Sequence, residues 1–150
     1  MTITSTTAEP GIVAITVDYP PVNAIPSRGW FELADALTAA GADLETRAVI
    51  LRADGRGFNA GVDIKEMQRT EGFTALIDAN RGCFAAFRAV YECAVPVIAA
   101  VNGFCVGGAS DWSATPMSSS PPRTPPSVCR RWSGARSAPQ PTSPGWFHNI

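Results

Sequence analysis

Two stretches hold residue types and spacings from which chemistry can be built: "GRGFNAGVDIKEM", residues 55–67, and "AAVNGFCVGG", residues 99–108. Each joins the end of an apolar, β-branched run to closely spaced glycines. Without a side chain in the way, backbone approaches a ligand closely, and amides left free at a turn entering a helix converge on an oxygen that gathers negative charge. Two such turns side by side would form an oxyanion hole. The same spacing is also met by tight turns that serve packing alone. Within the first stretch Asp63 stands at a helix start, where its carboxylate satisfies orphan amides, and it reads as structural. Lys65 and Glu66 read as solvated charges on that helix.

Other reactive side chains are sparse. Cys83, Cys93, Cys105 and Cys129 form no CxxC pair and His148 is the sole histidine, so no metal site is expected and the thiols read as reduced and buried. A net charge of -1 gives no basic footprint for nucleic acid and leaves small-molecule chemistry as the default. The N-terminus lacks a basic segment followed by an apolar one, and no stretch is long and apolar enough for a membrane span. No membrane partner and a cytoplasmic location are therefore expected, in keeping with unpaired thiols.

The elements that must position the two glycine turns follow from periodicity. "GIVAITV", residues 11–17, is a strand, and "DYPPVNAIP" a loop in which adjacent prolines remove donors. Ser27 is placed as the cap of a helix carrying Trp30, Leu33, Ala34 and Leu37 on one face and closing at Gly41. "RAVILRA", residues 47–53, is a second strand. A helix from about Ala75 to Cys93, ended by Pro96, would bury a broad face of Leu76, Ile77, Ala79, Cys83, Phe84, Phe87 and Val90. "PVIAAVNG" reads as a strand buried on both faces. Alternation of strands and helices at this spacing defines an α/β layer architecture with crossover connections.

That order stops at Gly108. Residues 109–150 hold eight of the thirteen prolines, nine serines and three of the four tryptophans, with neither helical nor strand period. Linkers seldom carry so many tryptophans, and folded modules seldom so many prolines without strands between them. The chain thus divides into one domain over residues 1–108 and a Pro/Ser-rich tail over 109–150.

Residues 10–108 resemble the enoyl-CoA hydratase/isomerase (crotonase) family. The resemblance is carried by "FNAGVDIKEM", by "PVIAAVNGFCVGG" and, at the early CoA-contacting loop, by "PPVNAI". Within the family it points toward actinobacterial homologues of steroid-ring breakdown. It implies the crotonase-like (ClpP/crotonase) ββα spiral, incomplete here, followed by a disordered C-terminal tail. The implied substrate is an acyl-CoA thioester, with CoA as part of the substrate and no separate cofactor, and the intact parent would be a homotrimer or hexamer. Carried over by position, the oxyanion amides fall on Val62 and Gly108. Ala60, Gly61, Val62, Asp63, Ile64 and Lys65 would line the thioester and the adenine end of CoA, and Asn23, Ala24 and Ile25 would flank the pantetheine channel. The leading implied reaction is hydration or isomerisation of an enoyl-CoA. The alternatives are hydrolytic opening of a ring carbon–carbon bond and a non-catalytic acyl-CoA binding or interaction fragment.

Family hydratases use two carboxylates, one three residues beyond the oxyanion glycine and one in a later "G-x-P-E" segment. Asp111 falls at the first position, inside text without resemblance, and the second has no counterpart. Reread with one base restored near Ala109, the tail permits family-like text in the neighbouring frame, with Arg131 at the place of the later glutamate and glycine at the first carboxylate position. The tail is thus read as out-of-frame text, and the chain as a truncated, inactive form of its parent.

Overall fold

The computed structural model describes residues 1–69 and 72–107. Gly108, Asp111, Cys129, Arg131, His148 and the expected tail over 109–150 lie outside the described residues.

The chain opens on β1 (Thr2–Glu9) and β2 (Ile12–Asp18), an antiparallel hairpin in which Thr2 faces Asp18 and the register slips between Thr7 and Glu9. β1 has no counterpart in the sequence reading. Its residues are polar and nearly all exposed, so it lies at the sheet margin with no apolar period to announce it. After a short β3 (Ala24–Ile25) comes α1 (Ser27–Ala42), then β4 (Ala48–Ala53). β5 (Gly57–Asn59) and β6 (Gly61–Val62) follow, then α2 (Ile64–Arg69), α3 (Thr74–Tyr91), β7 (Val97–Ala100) and β8 (Phe104–Cys105).

Among the described residues the main sheet runs β1-β2-β4-β7, with β2, β4 and β7 parallel. Parallel neighbours need crossovers, supplied by α1 between β2 and β4 and by the helical segment between β4 and β7. β4 alternates as a strand with one covered face should: Val49, Leu51 and Ala53 are buried while Arg52 is exposed. β7 differs from expectation in the same way. Val97 and Ala99 are buried but Ile98 and Ala100 only partly, so among the described residues β7 too is fully covered on one face alone.

Helix α1 forms on the predicted face, with Trp30, Leu33 and Leu37 fully buried. Each such side chain stabilises the fold by about 1.5–3 kcal/mol. Ser27 is not its cap: Pro26 holds that position with extended backbone and makes no side-chain cap bond, and Ser27 is the first helical residue. Helix α3 buries only part of the face expected, Ala79 and Val90 fully and Cys83 and Phe87 in part. Ala75, Ala79, Gly82, Ala86 and Val90 are buried, whereas Leu76, Ile77 and Phe84 are exposed.

The reason is close helix contact. A Cβ on Gly82 would lie 2.8 Å from Trp30 Cβ and 3.0 Å from the Ser27 carbonyl oxygen, so only small residues let α3 approach α1. Phe87 meets Trp30 at a ring-centre distance of 6.1 Å and an angle of 57°, within the range of tilted aromatic pairs. α3 also ends at Tyr91, ahead of Pro96; the Glu92 amide bonds the Arg88 carbonyl at the last turn.

Candidate functional site

The two glycine stretches are laid beside each other by a short parallel ladder. β5 pairs with β8, Gly57 opposite Phe104 and Asn59 opposite Cys105, and the Val106 amide continues it by donating to the Asn59 carbonyl at 3.0 Å. Just past this ladder both chains turn through left-handed glycines, Gly61 at φ +88° and Gly107 at φ +73°. The two backbones touch there. A Cβ on Gly107 would lie 3.2 Å from Gly61 Cα and 3.7 Å from its nitrogen, so conformation and space together demand glycine.

β6 carries Val62 out of this contact and pairs in parallel with β3, Ala24 opposite Gly61 and Ile25 opposite Val62. In a parallel ladder one residue of each opposed pair bonds to both neighbours of the other. Here the Asp63 amide donates to the Ile25 carbonyl at 3.0 Å, and Pro26 has no N–H with which to form the opposite pattern. Ile25 is therefore the bonding member, and the Val62 N–H points away from β3. The structure thus brings Val62 next to Gly61, which abuts Gly107. Gly108, the other expected amide, lies outside the described residues.

Asn59 is a residue of this turn that the sequence reading passed over. It is fully buried, and its Oδ1 accepts the Gly61 N–H in a short hydrogen bond that closes the turn. An asparagine two residues before a left-handed glycine was the available signal. Its Nδ2 has no hydrogen-bond partner among the described residues, and the same holds for Asn102 Oδ1, although Asn102 Nδ2 donates to the Gly55 carbonyl at 3.0 Å.

The proposed channel residues divide by role. Asn23 is buried with positive φ, and its side chain is committed inward: Oδ1 accepts the Tyr19 amide at 2.7 Å, and Nδ2 donates to the carbonyls of Asp54 at 2.7 Å and Gly57 at 2.8 Å. Its side chain ties the loop after β2 to the segment between β4 and β5. Ile25 is buried and Ala24 and Ala60 half-buried, whereas Ile64 and Lys65 are exposed beside the turn. Asp63 caps α2 as expected, its Oδ1 accepting the Lys65 amide at 2.9 Å and the Glu66 amide at 3.4 Å. Glu66 corrects the sequence reading. It is not a solvated charge: its Oε2 accepts the Ser27 amide at 2.7 Å and the Ser27 hydroxyl at 3.0 Å, across 39 residues of chain.

In the loop after β2, Tyr19 donates to Glu32 Oε2 at 3.2 Å. Burial, reinforced by the Glu32 charge, pushes its phenol up to about 12, so it stays a neutral donor at physiological pH. Among the described residues no group of three His, Cys, Asp or Glu side chains gathers as a metal site would, and no helix is long and apolar enough to cross a membrane.

Residues 7–112 match the family model described as enoyl-CoA hydratase/isomerase, and the chain belongs to that family. It is 90% identical over 108 residues to the (7aS)-7a-methyl-1,5-dioxo-2,3,5,6,7,7a-hexahydro-1H-indene-carboxyl-CoA hydrolase of Mycobacterium tuberculosis, covering 72% of this chain and 44% of that protein. The Rhodococcus jostii protein of the same name is 75% identical over 108 residues, covering 72% of this chain and 42% of that one. The crystal structure of an enoyl-CoA hydratase from Bacillus anthracis superposes with TM-score 0.69 at 30% identity, over 75% of this chain and 44% of that chain. The crotonase-type fold expected from the sequence is therefore present. The chain spans less than half the length of these relatives.

Proposed function

We propose that this chain carries the acyl-CoA-recognising part of an acyl-CoA-processing enzyme, and that its reaction is hydrolytic opening of a ring carbon–carbon bond in a bicyclic, steroid-derived acyl-CoA. The observation that carries the reading is the contact of the Gly61 and Gly107 turns, which sets the Val62 amide beside the second glycine stretch. In this reading the amides of Val62 and Gly108 both donate to the thioester carbonyl oxygen. They stabilise it as it becomes an enolate, a contribution that needs no further cofactor. Fixed donors already in place gain from the low-dielectric surroundings without reorganising during reaction. The buried Asn59 Nδ2 supports a polar neighbour at this point, since an unsatisfied buried donor costs about 1–3 kcal/mol.

Between hydration, the leading expectation from sequence, and ring hydrolysis, the identity of 90% to a hexahydroindene-carboxyl-CoA hydrolase favours the second. The intact parent would be a cytoplasmic trimer or hexamer. The chain itself is inactive in this reading, since general acid–base groups each contribute roughly 10²–10⁴-fold, the later family carboxylate has no counterpart, and Asp111 at the first position stands in text without family resemblance.

Isothermal titration with a hexahydroindene-dione carboxyl-CoA, with crotonyl-CoA and with free CoA tests the reading. The bicyclic thioester is expected to bind tightest, with no turnover of either thioester. Equal binding of free CoA and both thioesters would sink the oxyanion assignment, and hydration of crotonyl-CoA at an ordinary enzymatic rate would sink the hydrolase assignment and the inactivity.

A further inference from the structure

Glu66 belongs to α2, which begins two residues after Val62, yet its carboxylate closes the first turn of α1. A helix start leaves four amides without intrahelical partners. α1 is poorly supplied with local acceptors: Pro26 makes no side-chain cap bond, and its first turn holds no acidic residue. Glu66 provides what the local sequence omits, a charge-assisted acceptor at the positive end of the helix, for both the Ser27 amide and hydroxyl.

The connection closes a ring. β3 leads through Pro26 into α1, and β6 leads through the Asp63 cap into α2. β3 and β6 are bonded where they end, with the Asp63 amide on the Ile25 carbonyl, and a few residues further on Glu66 on Ser27 ties together the helices they lead into. The segment from Asp63 to Glu66 lies between these two fastenings, and Val62 stands immediately ahead of the first. With Glu66 in place α2 cannot swing about Asp63 without breaking bonds to α1, so the Asp63 end to which Val62 is joined is held.

We propose that Glu66 is a positioning residue that fixes the Val62 amide by tying α2 to the first turn of α1, so that acyl-CoA recognition depends on a carboxylate that does not itself touch the thioester. The proposal rests on the reading of Val62 as the amide that meets the thioester oxygen. Its structural half stands independently of that reading.

The test compares the full chain with Glu66→Ala and Glu66→Gln by hydrogen–deuterium exchange resolved by mass spectrometry, alongside affinity for the bicyclic acyl-CoA. Loss of a hydrogen bond to a charged group should raise exchange across residues 27–30 and 61–66 about tenfold in Glu66→Ala. Peptides from β2 and β4 should be unchanged, and Glu66→Gln, whose amide oxygen still accepts, should recover most of the protection. Acyl-CoA affinity should fall about tenfold in Glu66→Ala and recover in Glu66→Gln. Three outcomes overturn the clamp: wild-type segments 61–66 without protection, unchanged exchange there in Glu66→Ala, or loss spread evenly over the whole chain. If wild type binds no acyl-CoA thioester while the local exchange pattern holds, the functional reading fails and the clamp survives.

Discussion

Helices α1 and α3 pack against each other, yet they distribute size in opposite ways. α1 turns Trp30, Leu33 and Leu37 inward, while α3 turns Ala75, Ala79, Gly82 and Ala86 inward and leaves Phe73, Leu76, Ile77, Phe84 and Tyr91 largely exposed. The difference teaches that small residues at a helix contact reflect a need for closeness. Trp30 fills the interface, so α3 must be thin where it meets α1. Apart from Phe87 and Val90, the large side chains of α3 then occupy its outer face, and they form an apolar row of the kind a soluble surface rarely carries.

The strongest way to break this arrangement is Trp30→Ala. It removes the largest fully buried side chain and the Nε1 bond to the Ile25 carbonyl at 3.0 Å. Stability should fall by about 3–5 kcal/mol, read as a shifted midpoint in pulse proteolysis across a urea series. Gly82→Ala comes next. On an open helix face that change would add up to about 1 kcal/mol of helix stability. Here the new Cβ meets Trp30 Cβ at 2.8 Å and the Ser27 oxygen at 3.0 Å, so overpacking wins and a net loss of about 1–2 kcal/mol is expected in the same assay.

Ile77→Lys combined with Phe84→Lys sharpens the contrast from the outer face. Neither side chain is buried, so stability should move by no more than about 0.5 kcal/mol per site. Sedimentation should meanwhile shift from large species toward monomer; unchanged sedimentation would show that the α3 row does not drive association. The smallest effect lies on the border between the two faces, at half-buried Cys83, whose thiol burial pushes up to about 11. Labelling by iodoacetamide, followed by mass spectrometry, should be slow at pH 8 and climb about tenfold per pH unit up to that value, because the thiolate is the reactive form. The folded value lies above the ordinary one, so the neutral thiol favours the fold. Its contribution is complete below the ordinary thiol pKa and is lost as pH rises toward 11.

Legibility in the sequence tracked how local the cause was. β4 and α1 were readable because their burial writes a period into adjacent residues, as in Val49, Leu51 and Ala53 or Trp30, Leu33 and Leu37, and β2 because it is a continuous run rich in β-branched residues. The inward face of α3 was only partly legible: Ala79 and Val90 were placed inward, but hydrophobicity ranks Leu76, Ile77 and Phe84 above Gly82 and Ala86, whereas the contact selects for size. β3, β6 and β8 are two residues each, too short for any period, and β1 is too polar. At the site, the glycines gave both turns and Asp63 its capping role. The bonds of Asn23 to Asp54 and Gly57, and of Glu66 to Ser27, span 31 to 39 residues and leave no mark on their neighbours in sequence.

The Asn23 latch sets a limit on how the molecule ages. Asparagine slowly loses its side-chain amide to water, and the product is an acid. At position 23 that change would put a carboxylate oxygen where Nδ2 now donates, 2.7 Å from the Asp54 carbonyl oxygen and 2.8 Å from that of Gly57. Three acceptors would then crowd a buried point with no proton between them. In the folded chain both ends of the amide are held and shielded from solvent. In the unfolded chain they are not, so each excursion to the unfolded state exposes the latch to a lesion that hinders the return.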